Sequence, residues 1–509
     1  MSDGLSARIL DMVTALVVLI ALGILGWGLI RARPYGQVGI LAWLQSVVLM
    51  APWLLFFSLF AIGIYLNLVT VLFLFIFSTG LYIYIGNRLR AAGQDAVLSQ
   101  KASPLTGPSA PVEARENEAS STAPNGTMPV TPAPIAAIPE ADLQAIKGLF
   151  GIETFFATET IPYQQGVIFK GNLRGEPETS HDRLSIGLKE RLGDKYRLFL
   201  VENPDGKPVV IVLPSSADPR PSSLFQKLFA GVLAIATLVT CLEAGGLLLG
   251  FDFFSAPDRY PEVLPIALGI LAVLTAHELG HLFMARRHQI RLSFPFFLPA
   301  LQIGSFGALT RFESLLPSRK VLFDIAFAGP AVGGLISLGM LLMGLVLSHK
   351  GSLFQIPSEF FQGSILIGTL ARVALGHELQ NPIVDVHPLL VIGWLGLVIT
   401  AINLMPAGQL DGGRIVQAIY GRKVAGRATF ATLIVLGIAA LVNPLALYWA
   451  VIILVLQRDL ERPSLNELSE PDDARAALGL LALFLMITTL LPLTPSLAGR
   501  LGIGTPSLF

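Results

Sequence analysis

One cysteine, Cys241, occurs in 509 residues. A lone thiol excludes an intramolecular disulfide and a cysteine-based zinc site, and its apolar surroundings make it a packing residue. Charge is also scarce. Asp, Glu, Lys and Arg make up 14% of the chain, against about 25% in a typical soluble domain. The 35 basic and 35 acidic residues cancel, so nothing points to nucleic acid or to a generally acidic partner. From Ala91 to about Glu140 the chain has no aromatic residue and is rich in Pro, Ala, Ser, Glu and Gly. Such a stretch cannot bury a core and reads as a disordered tether.

What the chain has in excess is apolar length. Hydrophobic residues make up 53% of it, and several runs reach the roughly 20 residues a spanning helix needs. Residues 9–30 form the first, followed by Arg31 and Arg33. An apolar run this long, without a small-residue cleavage site, reads as a retained span. Residues 38–87 predict two spans joined by a tight turn near Gly63 and closed by Arg88 and Arg90. Later spans are expected at 228–250, 263–285, 322–347, 388–405 and 476–493, with a re-entrant pair over 429–457 around Asn443-Pro444. With this set, every arginine-rich junction falls on one side, the cytoplasmic one, and the N-terminus starts outside.

Residues 141–216 keep a soluble pattern. A helix is expected at 142–148, strands at 153–158 and 166–170, and a helix capped by Ser180 running to Leu192. A hairpin follows, its strands at 196–201 and 208–213 joined by the turn Asn203-Pro204-Asp205-Gly206. Gly171-Asn172-Leu173-Arg174-Gly175 reads as a turn after a strand.

The chemistry gathers at His277-Glu278-Leu279-Gly280-His281. Four residues of helix turn through about 400°, so the two imidazoles share one face and can hold one metal ion. Glu278 points beside that ion, where a carboxylate can take a proton from water. The motif interrupts the otherwise apolar run Val263 to Met284. Each ionisable group at that depth costs at least about 2.5 kcal/mol, so three in five residues need a compensating partner. A zinc hydrolase site takes three protein ligands. Asp411 supplies a candidate third, in the Pro- and Gly-rich stretch Asn403 to Arg414, where irregular backbone is tolerated only when buried or facing a water-filled cavity. Its competing reading is a cap on a helix starting near Gly412. Asn403 has two readings of equal weight: an oxyanion donor, or a polar group stabilising the broken helix. His349, His377 and His387 fall near the opposite face, too far to join this site, and read as interfacial or structural.

These motifs resemble those of the site-2 protease family of intramembrane zinc metalloproteases. His277, Glu278 and His281 match the family's H-E-x-x-H, and Asn403, Pro406, Leu410, Asp411 and Gly412 match its N-x-x-P-x-x-x-L-D-G. Gly171 to Arg174 is similar to the GNLR motif of the EGY-type branch of chloroplasts and cyanobacteria. The resemblance covers about 225–460 and the soluble module, and no PDZ domain is visible. It implies zinc, ligation by Asp411, and peptide-bond hydrolysis in membrane-spanning substrates near the cytoplasmic face.

The expected fold is an all-α polytopic membrane protein with a small soluble α+β domain inserted before the protease core. Its divisions are N-terminal transmembrane segments at 1–90, the linker at 91–140, the soluble domain at 141–222, the core at 223–460 and a last span with tail at 461–509. Partners are the lipid bilayer and transmembrane substrates, in a plasma or thylakoid membrane with the active site toward the cytoplasm. Ser293 to Phe312 lacks helical periodicity and predicts a membrane-associated β-hairpin, with its edge open to a substrate or the whole acting as a structural plug. The rival readings are an ion or metal transporter, which predicts repeated broken helices that the sequence lacks, and a non-catalytic relative that binds membrane helices.

Overall fold

The computed structural model describes residue 23, residues 25–61, scattered positions between 77 and 89, and 138–503 apart from 164, 204, 442 and 458. Most of the span expected at 9–30, the turn near Gly63 and nearly all of the 91–140 tether lie outside the described residues. Those described fall into two units: positions before 131 together with 437–446, and 131–436 with 447–503. In the first, helix α1 (Gly36–Ala61) is mostly apolar. The Trp43 indole N–H donates to the Leu25 carbonyl at 2.9 Å, so an otherwise apolar side chain leaves no polar atom unpaired.

In the second unit, α2 (Glu140–Lys147) precedes a four-stranded antiparallel sheet of β1 (Phe155–Tyr163), β2 (Gly166–Leu173), β3 (Tyr196–Glu202) and β4 (Pro208–Pro214), in the order β1-β2-β4-β3. Helix α3 (Pro177–Leu192) lies between β2 and β3 in sequence. Alternating residues of β2, β3 and β4 point toward the helices: Val167, Phe169, Leu198, Leu200, Val210 and Val212 are buried with Leu184 and Leu188 of α3. The β3–β4 turn forms where the sequence places it, because the Asn203 side-chain oxygen accepts from the Asp205 and Lys207 amides at 3.0 and 2.8 Å.

Two local expectations are corrected. The Gly171-Asn172-Leu173 run is not a turn but the end of β2, paired with Phe155 to Ala157. A Cβ at Gly171 would lie 2.1 Å from the Phe156 carbonyl oxygen, so glycine there permits strand contact. Ser180 does not cap α3, which starts three residues earlier with Pro177 in its first turn, where a missing N–H costs nothing.

The apolar part begins with α4 (Leu224–Leu248), opened by a capping box between Ser223 and Gln226. It continues with α5 (Tyr260–Arg287), the hairpin β5 (Phe296–Ala300) and β6 (Gly304–Leu309), and α6 (Arg319–Leu347). A second small hairpin pairs β7 (Phe354–Pro357) with β8 (Ile383–Val386) and encloses α7 (Ile365–Leu375). Then come α8 (Pro388–Asn403), α9 (Asp411–Ala439), α10 (Pro444–Ile452), α11 (Asp473–Leu490) and α12 (Pro495–Leu501). Among the described residues four helices are long and apolar enough to cross a bilayer: α4, α5 with its preceding turn, α6 and α11. The 16 residues of α8 reach only about 24 Å. The hairpin expected within 293–312 is present, and with β7–β8 it means that the apolar part is mostly helical rather than all-α. The 429–457 segment divides at 440–443 into the end of α9 and α10.

Glycines set the spacing of α5, α6 and α8. A Cβ at Gly280 of α5 would meet the Ala328 carbonyl at 2.5 Å, and one at Gly393 of α8 the Leu341 amide nitrogen at 2.3 Å. Hydrocarbon offers no hydrophobic drive for helices to associate, so this close backbone approach supplies the packing energy.

Candidate metal centre

The core stripe of α5 repeats every three to four residues, with Ile270, Val273, Leu274, His277, Gly280 and His281 all buried. The two imidazoles therefore face α6 instead of lipid. Room for them comes from two glycines with the same spacing of four: a Cβ at Gly329 would lie 2.2 Å from His281 Nε2, and one at Gly333 3.0 Å from the Cβ of His277. Besides letting the helices approach, these glycines make the pocket for the histidines. Their matching period was the available signal.

The loop 404–410 carries the chain from α8 to Asp411, the first residue of α9. It is tight: a Cβ at Gly412 would lie 1.8 Å from the Leu404 carbonyl oxygen. Asp411 starts this helix, and its carboxylate turns to the histidines. His277 Nε2 lies 3.0 Å from Asp411 Oδ2, His281 Nε2 lies 3.4 Å from Asp411 Oδ1, and the two Nε2 atoms are 3.2 Å apart. Tetrahedral ligands with bonds of 2.0–2.1 Å to zinc sit about 3.3 Å from one another. The donor set thus suits one zinc ion in both spacing and chemistry.

The surroundings fit as well. His281 Nδ1 is 2.8 Å from the Ile325 carbonyl oxygen, so it carries the proton and leaves Nε2 with a free lone pair, as a ligating histidine needs. Donor atoms of His277, Glu278 and His281 all lie within 4.8 Å of one another. Among the described residues Glu278 Oε2 is buried without a hydrogen-bond partner, which is costly unless a metal, water or substrate uses it.

Asn403 is buried at the end of α8. Its amide nitrogen donates to the carbonyls of Ile399 at 2.9 Å and Phe306 at 3.0 Å, so both N–H groups are committed and β6 is held to α8. These bonds favour the broken-helix role over the oxyanion role. His349 bonds to the Lys350 carbonyl and His387 accepts from the Leu389 amide at the start of α8, both local contacts apart from the metal centre.

Sequence reading missed Arg414 as part of this region. It is buried, pairs with Glu461 at 3.0 Å, donates to the Thr310 carbonyl at 2.7 Å, and stacks over Phe312 at 4.8 Å. Three residues beyond Asp411, it fixes the start of α9 to the hairpin exit and to the 459–470 segment. A basic residue read as a membrane-boundary marker gave no sign of this.

Two histidines and a carboxylate converging inside apolar helices, with a second carboxylate alongside, define a membrane-embedded metallopeptidase. Residues 265–443 match the model of peptidase family M50, and 144–220 match the EGY3 middle domain. The chain is 36% identical over 411 residues to the probable zinc metalloprotease EGY1, chloroplastic, of Oryza sativa subsp. japonica, covering 73% of this chain and 71% of that protein. It is 37% identical to the Arabidopsis thaliana EGY1 over 72% of this chain and 74% of that one. With the Arabidopsis thaliana EGY2 it shares 39% identity over 70% of this chain and 65% of that protein. No solved structure matches the chain. The chain belongs to the EGY zinc metalloproteases of peptidase family M50.

Proposed function

We propose that His277, His281 and Asp411 hold the zinc of this intramembrane protease and that Glu278 is its general base. The mutual spacing of the three donors carries this reading. Zinc, when bound, supplies Lewis acidity, lowering the pKa of water toward about 7 and polarising the scissile carbonyl. The protein's own groups do the rest. Ile325 holds the proton on His281 Nδ1. The Glu278 carboxylate, whose Oε2 has no competing partner, accepts a proton from the attacking water and delivers it to the leaving amine. Asn403 holds β6 against α8 and so fixes one wall of the site.

Substrates are membrane proteins, and the bond cut lies near the basic, cytoplasm-facing ends of the helices, because His281 precedes Arg286-Arg287 by about one and a half turns and Asp411 precedes Arg414 by less than one. Residues 141–222 act as a soluble module on that side and 223–460 as the membrane core, after N-terminal segments at 1–90 and a tether at 91–140, with the last span and tail at 461–509. The host is a thylakoid or plasma membrane. An unpartnered carboxylate oxygen beside the metal donors supports hydrolysis over a transporter or a passive helix binder.

The test is a pair of variants in purified full-length protein. Glu278→Gln keeps zinc at the wild-type stoichiometry and slows cleavage of a model transmembrane substrate at least about a hundredfold, the usual scale for a general base. Asp411→Ala loses the zinc itself. Wild-type cleavage by Glu278→Gln, or full zinc content in Asp411→Ala, sinks the assignment.

A further inference from the structure

A cavity of about 490 Å³ lies where four separate segments meet: the 216–220 connection from the sheet to α4, the 311–316 exit of the β5–β6 hairpin, Gln409 in the loop before α9, and the 461–463 segment. It lies within the range of volumes that hold small ligands or a few side chains. Gln409 is two residues from Asp411, so this space borders the backbone that presents the metal-binding carboxylate.

Its charges do not balance. Arg220, Arg311 and Arg462 line it, with Asp218 and Glu461 as the acids. Both acids are already engaged: Asp218 with Arg197 at 3.0 Å, and Glu461 with Arg414 at 3.0 Å. Among the described residues none of the three lining arginines pairs with a carboxylate. Three guanidinium groups without counter-charges, around one concave space, focus a positive potential and favour planar carboxylates.

We propose that this cavity binds an acidic, extended segment of the substrate polypeptide, the part flanking its membrane-spanning helix on the side of the soluble module. The proposal rests on the protease reading above and adds a recognition element to it. A substrate helix cleaved beside Asp411 must continue past Gln409 on its way out of the membrane. Cytoplasmic flanks of membrane helices are ordinarily rich in Lys and Arg. A basic cavity at the exit therefore repels most membrane proteins and admits those with Asp or Glu there, which is selection by repulsion as much as by attraction.

The experiment compares two forms of one model transmembrane substrate, whose flank carries either four Asp and Glu residues or four Asn and Gln residues. Wild-type protein at low salt cleaves the acidic form with about tenfold higher kcat/KM, mostly through KM, and the preference shrinks as salt rises. Only the substrate changes, so this comparison does not depend on a variant folding. In Arg220→Gln/Arg311→Gln/Arg462→Gln the ratio falls to near one, and in the triple Arg→Lys protein most of it returns. Binding of a fluorescent acidic peptide to Glu278→Gln protein gives the same ordering without cleavage, so failure of the proposal and failure of the protease reading are separate results. No preference in the wild type, or a preference that survives removal of the three arginines, overturns the proposal. So does a triple Gln variant that loses only its affinity for phosphatidylglycerol vesicles, since that outcome assigns the cavity to lipid head groups.

Discussion

At the scale of single residues the metal centre depends on space as much as on ligands. Gly329 lies so near His281 that any side chain there would displace the imidazole. Gly329→Ala is therefore expected to lower bound zinc to a small fraction of the wild type and to abolish cleavage. Gly339→Ala, on the same helix with nothing within 4 Å of its added Cβ, changes neither. Zinc analysis of the two purified proteins decides it, and full zinc content in Gly329→Ala would mean that the helices part without cost. Period alone puts His277 and His281 on one face, because a helix shows one face every 3.6 residues, and Glu278 is the carboxylate next to them in sequence. The same period at Gly329 and Gly333 was legible, but only the pairing of α5 with α6 shows why it is there.

At the scale of elements, α9 begins on a buried ion pair. The Arg414 and Glu461 side chains are 5% and 8% exposed, so removing one partner leaves an uncompensated charge, at a cost of about 3–5 kcal/mol. Arg414→Ala should unfold at clearly lower temperature in detergent and bind zinc more weakly, and Arg414→Ala/Glu461→Gln should recover part of that loss. A double variant no more stable than the sum of the two single changes would show that the pair does not couple. In the sheet, burial and then the hydrogen bond to the Asp142 carboxylate push the Tyr196 phenol up to about 12, above its ordinary value of about 10. The folded state thus holds its proton more tightly than the unfolded chain. The resulting stability is complete below about pH 10 and is lost as pH rises toward 12. Thermal unfolding of Tyr196→Phe across that range should fall less steeply than that of the wild type; equal slopes would place the alkaline loss elsewhere. The sequence locates these strands and helices within a few residues, because alternation and turn chemistry are local. It misplaces the start of α3 and the end of β2, where a proline and a close strand contact override the local signals.

At the scale of the whole second unit, the 459–470 segment joins the sheet to the apolar helices. Leu200 donates its amide to the Leu465 carbonyl at 2.8 Å, Glu467 donates back to the Leu200 carbonyl at 2.9 Å, and Leu465 donates to the Leu316 carbonyl at 2.8 Å. Phe199, Val201 and Val209 form a second small core with Leu315 and Leu465. Arg319, at the head of α6, donates to the Ala418 and Ile419 carbonyls at 2.7 and 2.6 Å, and to that of Glu467 at 3.3 Å. The sheet is thereby tied to α6, whose glycines make room for the histidines, and to α9, which begins at Asp411. Leu465→Asp should speed hydrogen exchange at the Leu200 amide while the β1–β2 amides keep their protection, and unchanged exchange at Leu200 would show that the segment is no clamp.

The sequence by itself determined the helix periods, the apolar lengths and the residue types able to hold zinc, because each depends on neighbours a few positions apart along the chain. Tertiary structure alone decided that a carboxylate 134 residues away reaches His277, that two glycines on another helix make room for the imidazoles, and that three arginines from distant segments share one cavity. Those are contacts between elements, fixed by the packing of backbones at close range; local pattern offers Asp411 and the glycine spacing as candidates, and only the packing brings them to the histidines.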